Sequence, residues 1–167
     1  WVSPNYIYKA LEVPNDENYD KQWGNRQVNL EAAWDEDTGS KSVTVAVLDT
    51  GIIPSHEDLK DNLLDEGVDF VGYPNDRETL PEDYVITDYD PTDETPYDPD
   101  VPYYNGSHGT HVAGIIGAVG DNSKGIAGVD WDVDILPVRV LGADGSGDSW
   151  DIAEGIYYSI DHNQLLH

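Results

Sequence analysis

One short run decides more about this chain than any other stretch. Val43-Thr-Val-Ala-Val-Leu48 is almost continuously apolar and β-branched, and it ends abruptly in Asp49-Thr50-Gly51. A strand with one wet face alternates polar and apolar residues. A strand without that alternation is buried on both faces, as inside a parallel sheet covered by helices above and below. In open sheets of this kind functional groups gather at the carboxyl ends of the strands. Asp49 is therefore a first candidate: a carboxylate there can orient a histidine, hold a metal or accept a phosphoryl group. The plain alternative is a strand-end Asp bonded to its own turn.

The rest of the chain supplies partners for that strand. Residues 67–71, Gly-Val-Asp-Phe-Val, and 135–141, Ile-Leu-Pro-Val-Arg-Val-Leu, read as second and third strands. Helical patterns fall within Gln27–Asp37, with Leu30, Ala33 and Trp34 on one face; over 107–119, with Ser107 as N-cap; and over 149–162, with Ile152, Ile156 and Ile160 in line. The glycines of 107–119 cost helix stability, so close packing against a neighbour is expected there. Residues 1–24 mix aromatics with turn formers and read as an extended arm. The order strand, strand, helix, strand, helix predicts an α/β fold with an open, mostly parallel sheet and helices on both faces. The next strand of such a sheet is expected beside the third one. Residues 72–104 form an acidic, proline-rich insertion: from Asp76 to Asp100 there are ten Asp and Glu against the single Arg77, the composition of a solvated loop.

Composition narrows the partners. The 34 acidic residues against 8 Lys and Arg give a net charge of −26, which repels nucleic acid and anionic membrane surfaces. No run of eighteen apolar residues exists to span a membrane, and no signal peptide is visible at the N-terminus. With no Cys, disulfides and thiolate sites are excluded. Clustered carboxylates invite divalent cations.

His108 opens the third helical pattern and His111 follows one turn later. A zinc site would need more than this: the pair is not an HExxH motif and no third ligand is obvious. Four blocks taken together are far more specific. Val45-Ala-Val-Leu-Asp-Thr-Gly51, His56-Glu-Asp-Leu59, Asn105-Gly-Ser-His-Gly-Thr-His-Val-Ala-Gly114 and Val138-Arg-Val-Leu-Gly-Ala-Asp-Gly-Ser-Gly147 closely resemble, in order, the subtilisin-like serine peptidases. The Pro14-Asn15-Asp16 arm and the Asp121-Asn-Ser-Lys-Gly-Ile126 loop are similar to the thermitase branch.

The resemblance implies roles. Asp49 matches the triad aspartate and His108 the general base, whereas His111 matches a non-catalytic position. Leu141, Gly145, Ser146 and Gly147 match the wall of the substrate cleft, where a peptide would lie as an added strand. Asp16, Asp58, Asn122 and the carbonyls of Val119, Lys124 and Ile126 match a calcium site, an oxygen set suited to that ion. Asp69 matches one ligand of a second calcium site, to be completed from Asp88, Asp90 or Thr92. The Gly-Thr-Ser block of the nucleophile and the oxyanion asparagine are absent, and Trp1-Val-Ser-Pro-Asn-Tyr6 resembles the end of a propeptide. The expected organisation is a propeptide remnant over 1–10 and, over 11–167, the N-terminal part of a secreted catalytic domain, truncated before the nucleophile segment. Its partners would be the C-terminal remainder of the domain, protein or peptide substrates, and a propeptide inhibitor. This chain alone is expected to be inactive.

Two other readings stay open. Asp-Thr-Gly also opens the aspartic peptidase motif, but that class is all-β and needs a second copy, which the helix over 107–119 disfavours. A non-catalytic calcium-binding fragment, or half of an inactive relative, also fits a chain without the nucleophile motif.

Overall fold

The computed structural model describes residues 13–72, 89–92 and 107–165. The expected propeptide remnant, most of the acidic insertion and Asp88 lie outside the described residues. Three parallel strands form the sheet: β1 (Thr44–Asp49), β2 (Val68–Asp69) and β3 (Asp134–Arg139), in the order β1-β3-β2. The third strand in sequence is thus central, and β1 is an edge among the described residues. The expectation of a further strand beside the third is corrected accordingly, because β2 already takes that side.

Register runs from Thr44↔Asp134 to Asp49↔Arg139 along β1 and β3, while β2 pairs only Val68↔Val138 and Asp69↔Arg139. Pro137 explains the short second ladder. On β3 the Ile135 amide donates to Asn62 O and Arg139 O accepts from Phe70, so odd-numbered residues bond toward β2. Pro137 has no N–H to offer on that side.

The two faces of the sheet are covered as expected. Helix α3 (His108–Gly117) packs with Val47, Ile52, Leu59, Ala113, Ala118, Val133 and Ile135. Helix α4 (Ser149–Leu165) covers the opposite face, where Val68, Phe70, Leu136, Val138 and Val140 are buried and Tyr158 packs against them. Asp148 starts α4 by accepting from the Trp150 and Asp151 amides at 2.8 and 3.0 Å, a side-chain cap.

The described part of the N-terminal arm is more ordered than its composition suggested. A 3-10 turn (Tyr19–Lys21) leads into α1 (Trp23–Gln27) and α2 (Leu30–Trp34). The arm is tied to the 121–127 loop: Asn18 N donates to Gly125 O, and Gln22 exchanges two bonds with the Ala127 backbone. Tyr19, Trp34, Ala127 and Trp131 make a separate aromatic core, with Trp34 and Trp131 4.9 Å apart and Trp34 Nε1 donating to Val129 O.

Close approach explains two of the three glycines of α3, Gly109 and Gly117, whereas a Cβ on Gly114 would make only an ordinary contact. A Cβ on Gly117 would run into the Val133 side chain and lie 3.0 Å from Ile135 Cδ1. Gly117→Ala is therefore expected to lower the stability of the full-length protein by roughly 1–3 kcal/mol, read by urea unfolding. Gly24, in α1, has open space around its missing Cβ, so Gly24→Ala should be neutral or stabilising by up to ~1 kcal/mol.

Candidate active site

The carboxyl end of β1 delivers Asp49 to the first turn of α3. His108 Nδ1 lies 2.8 Å from Asp49 Oδ1 and 3.0 Å from Oδ2. Asp49 Oδ1 also accepts from the Thr50 amide at 2.7 Å. The Asp49 side chain keeps only 10% of its surface exposed, whereas that of His108 keeps 53%. Burial on one side and exposure on the other fix the use of the two ring nitrogens. Nδ1 is committed to the carboxylate, which leaves Nε2 as the ring nitrogen for any further partner.

The neighbouring residues hold this pair in place. Thr50 Oγ1 accepts from the Gly109 amide at 3.1 Å, and Thr110 Oγ1 accepts from the Ile53 amide at 3.0 Å. A Cβ on Gly109 would strike the Gly51 carbonyl oxygen and crowd Asp49, so only glycine lets α3 approach the turn this closely. Ser107 precedes the helix as expected but makes no side-chain capping bond. Its backbone is left-handed, at φ 69°, a strained conformation for a non-glycine residue, immediately before His108. His111 lies one turn on, exposed, lining a 420 Å³ cavity with His56, Asp58 and Ile126. Among the described residues no three His, Cys, Asp or Glu side chains group to hold a metal.

The residues expected to line a substrate cleft, Leu141 and Gly145 to Gly147, follow β3. The Val140 and Leu141 amides both donate to Asp49 O, at 3.0 and 3.2 Å, so Leu141 is anchored to the end of β1. Gly142 to Ser146 close a tight turn, with Gly142 N bonded to Ser146 O and Gly145 at φ 76°. Asp144 accepts from both the amide and the hydroxyl of Ser146. Gly147 lies so close to the Val140 carbonyl and the Leu141 side chain that a Cβ would clash with both.

The residues of the first calcium reading converge. Asp16 and Asp58 keep 5% and 2% of their surface exposed. Asp58 accepts from Asn122 Nδ2 at 2.7 Å and from the Ile126 amide at 2.9 Å, and its carbonyl accepts from the Val119 amide. Lys124 N donates to Asn122 Oδ1, and Gly125, at φ 36°, leaves no room for a Cβ beside Asp58. Asp16 Oδ2 accepts from the Asp121 amide at 2.8 Å, while its buried Oδ1 has no hydrogen-bond partner. Burial, with the nearby Asp58 charge adding to it, pushes the Asp16 carboxyl above its ordinary range. An orphaned oxygen beside a second buried carboxylate suits a divalent cation.

The second reading fares differently. Asp69 is bonded to Arg139, a partner the sequence reading did not connect to it, and Asp90 and Thr92 are bonded to each other. Both residues are polar among apolar neighbours at the ends of short strands, a local signal of a buried charge but not of its partner.

The pattern described as the Subtilase family matches residues 40–166. The chain belongs to this family. A thermophilic serine proteinase of Bacillus sp. strain AK1 is 38% identical over 162 residues, covering 96% of this chain and 34% of that protein. Thermitase of Thermoactinomyces vulgaris is 36% identical over 151 residues, covering 89% of this chain and 44% of its own length. Other subtilase relatives are named extracellular proteases. Among solved structures, a protease from Pseudoalteromonas arctica PAMC 21717 superposes with a TM-score of 0.67 at 39% identity, covering 87% of this chain and 43% of that one. The subtilase chain described here thus spans about a third of the length of the curated relatives it matches.

The contact between Gly109 and the Gly51–Asp49 turn predicts a local effect of a single methyl group. In Gly109→Ala the low-field imidazole proton of a carboxylate-bonded His108 should shift or vanish in the NMR spectrum of the full-length protein, because the helix must move off the strand end. An unchanged signal would show that the close approach does not set the Asp49–His108 geometry.

Proposed function

We propose that this chain is the N-terminal part of the catalytic domain of a secreted, calcium-stabilised serine endopeptidase. The observation that carries the reading is the buried Asp49 carboxylate holding Nδ1 of a half-exposed His108. In the whole enzyme a serine from the remainder of the domain would stand at His108 Nε2. Its Oγ attacks the peptide carbonyl as His108 accepts the hydroxyl proton, and Asp49 stabilises the imidazolium. His108 then returns that proton to the leaving amine and an acyl-enzyme remains. Water, deprotonated by the same nitrogen, hydrolyses the ester and restores the serine. The substrate backbone would lie along Gly145-Ser146-Gly147 as an added strand, with Leu141 bounding a side-chain pocket. Relatives named as extracellular proteases, and the absence among the described residues of any helix long and apolar enough to cross a membrane, support the secreted setting.

The rest of the domain would also complete the sheet. The outer edge of β1, with Thr44, Ala46 and Leu48, borders a 310 Å³ groove lined by Ile156, Ile160 and His162 of α4. A further parallel strand there would cover the exposed Ile156 and Ile160. The propeptide role of Trp1–Tyr6 remains part of the proposal; those residues lie outside the described ones.

Calcium would be held by Asp16, Asp58, Asn122 and the carbonyls of Val119, Lys124 and Ile126, tying the arm, the His56–Leu59 turn and the 121–126 loop together. Its contribution is charge neutralisation and cross-linking, with no part in the reaction.

Two measurements test this. In the full-length enzyme Asp49→Asn should cut kcat by about 10⁴-fold, since the wrong imidazole tautomer is then favoured; a variant within tenfold of the wild type would sink the triad assignment. Residues 1–167 expressed alone should hydrolyse no peptide and take up no serine-directed phosphonate. Calcium is tested by a change of sign. Without metal, an Asp16 carboxyl raised by burial contributes stability below its unfolded pKa, and this is lost as pH rises through the folded value. At neutral pH, Asp16→Asn should therefore raise the melting temperature in chelator and lower it in excess calcium. The same sign in both conditions would reject the site.

A further inference from the structure

The family resemblance sets a second calcium beside Asp69, but a cation of the protein's own already stands there. Arg139 Nη1 lies 2.7 Å from Asp69 Oδ2, and the two side chains keep only 13% and 8% of their surface exposed. The other oxygen of Asp69 accepts from the Val71 amide at 2.7 Å. Asp90 uses Oδ1 to accept from both the hydroxyl and the amide of Thr92. Those bonds, and the Arg139 charge with them, hold its carboxyl below the usual range.

Arg139 also stands where several segments meet. It is in register with Asp69 on β2 and with Asp49 on β1. Residues 89–92 pack onto the same strand ends: the Ile52 amide donates to Pro91 O at 3.0 Å, and a Cβ on Gly67 would run into Pro91. A guanidinium is always protonated and cannot yield its charge to an incoming ion. A calcium ion among Asp69, Asp90 and Thr92 would face that fixed positive charge. It would also have to take Asp69 from Arg139, leaving a buried guanidinium without its anion. The residues present do not fit the metal.

We infer that Arg139 is the resident cation of this position and that the protein binds no calcium at Asp69 and Asp90. The guanidinium neutralises buried Asp69 and ties β2 to β3 beside the 89–92 segment. The strand ends beneath the Asp49–His108 pair are therefore held without metal on this side. The inference does not depend on peptidase activity.

Equilibrium dialysis of the full-length, phosphonate-blocked protein against radioactive calcium tests it, together with melts in excess calcium and in chelator. Asp69→Asn is expected to leave the number of bound calcium ions unchanged and to lower Tm equally in both conditions. Loss of one bound ion, or a fall in Tm seen only with calcium, overturns the inference. Should Asp69→Asn fail to fold, Asp90→Asn decides by the same count: an unchanged number supports resident Arg139, and one ion fewer overturns it. Asp16→Ala in parallel keeps the two sites apart. If that variant loses no ion, the Asp16 site fails, and the Asp69→Asn count still decides here.

Discussion

The parallel pairing of β1 with β3 governs the rest of the structure. Two strands ninety positions apart in sequence meet in a six-residue register. Because side chains alternate faces, this register sends Val47 and Ile135 toward α3, and Ala46, Leu48, Leu136 and Val138 toward α4. A slip of one residue would send Leu48 to the α3 side and turn Asp49 away from His108. The same ladder runs on past β3, since Asp49 O receives both the Val140 and Leu141 amides. The Asp49 carboxylate and the segment from Val140 onward are thus set by one piece of backbone geometry.

Much of this was legible in the sequence, for a definite reason. A run without polar alternation marked Val43–Leu48 as a strand, although within β1 only Val47 and Asp49 are fully buried, and small residues in an apolar helix announced the close approach at Gly109 and Gly117. Asp49 and His108 could be paired only through resemblance, since fifty-nine positions separate them. The order of strands across the sheet was not legible. It depends on which edges meet after folding, and Pro137, which shortens the β2 ladder, gives no hint of sheet position on its own. Helix α1 was poorly marked, while α2 falls inside the helical pattern read over Gln27–Asp37. They are a single turn or so each and are stabilised by Gln22, Asn25 and Trp34 bonding to 127–129, contacts no local window contains. Ser107 carries a cap-forming side chain, yet its left-handed backbone leaves the cap unmade.

Two buried anionic positions receive different treatment within one small fold. At Asp69 the neutralising charge is covalently part of the chain, delivered by the neighbouring strand at fixed spacing. At Asp16 and Asp58 the described structure offers amides and one orphaned oxygen but no cationic side chain in the hydrogen-bonded set. In a chain with 34 acidic residues and 8 Lys and Arg, cations are scarce. One of the few, Arg139, stands at the strand ends in register with Asp49.

The attachment of the arm has a topological consequence. Residues 15–25 are bonded to 121–127, β1 is laddered to β3, and β2 is locked to β3 through Arg139. Every one of these links joins the part of the chain before residue 73 to the part after residue 106. Hydrolysis of a single peptide bond in the acidic stretch between them would therefore divide the covalent chain without dividing the fold. Asp49 and His108 would then belong to separate polypeptides and still share their hydrogen bond.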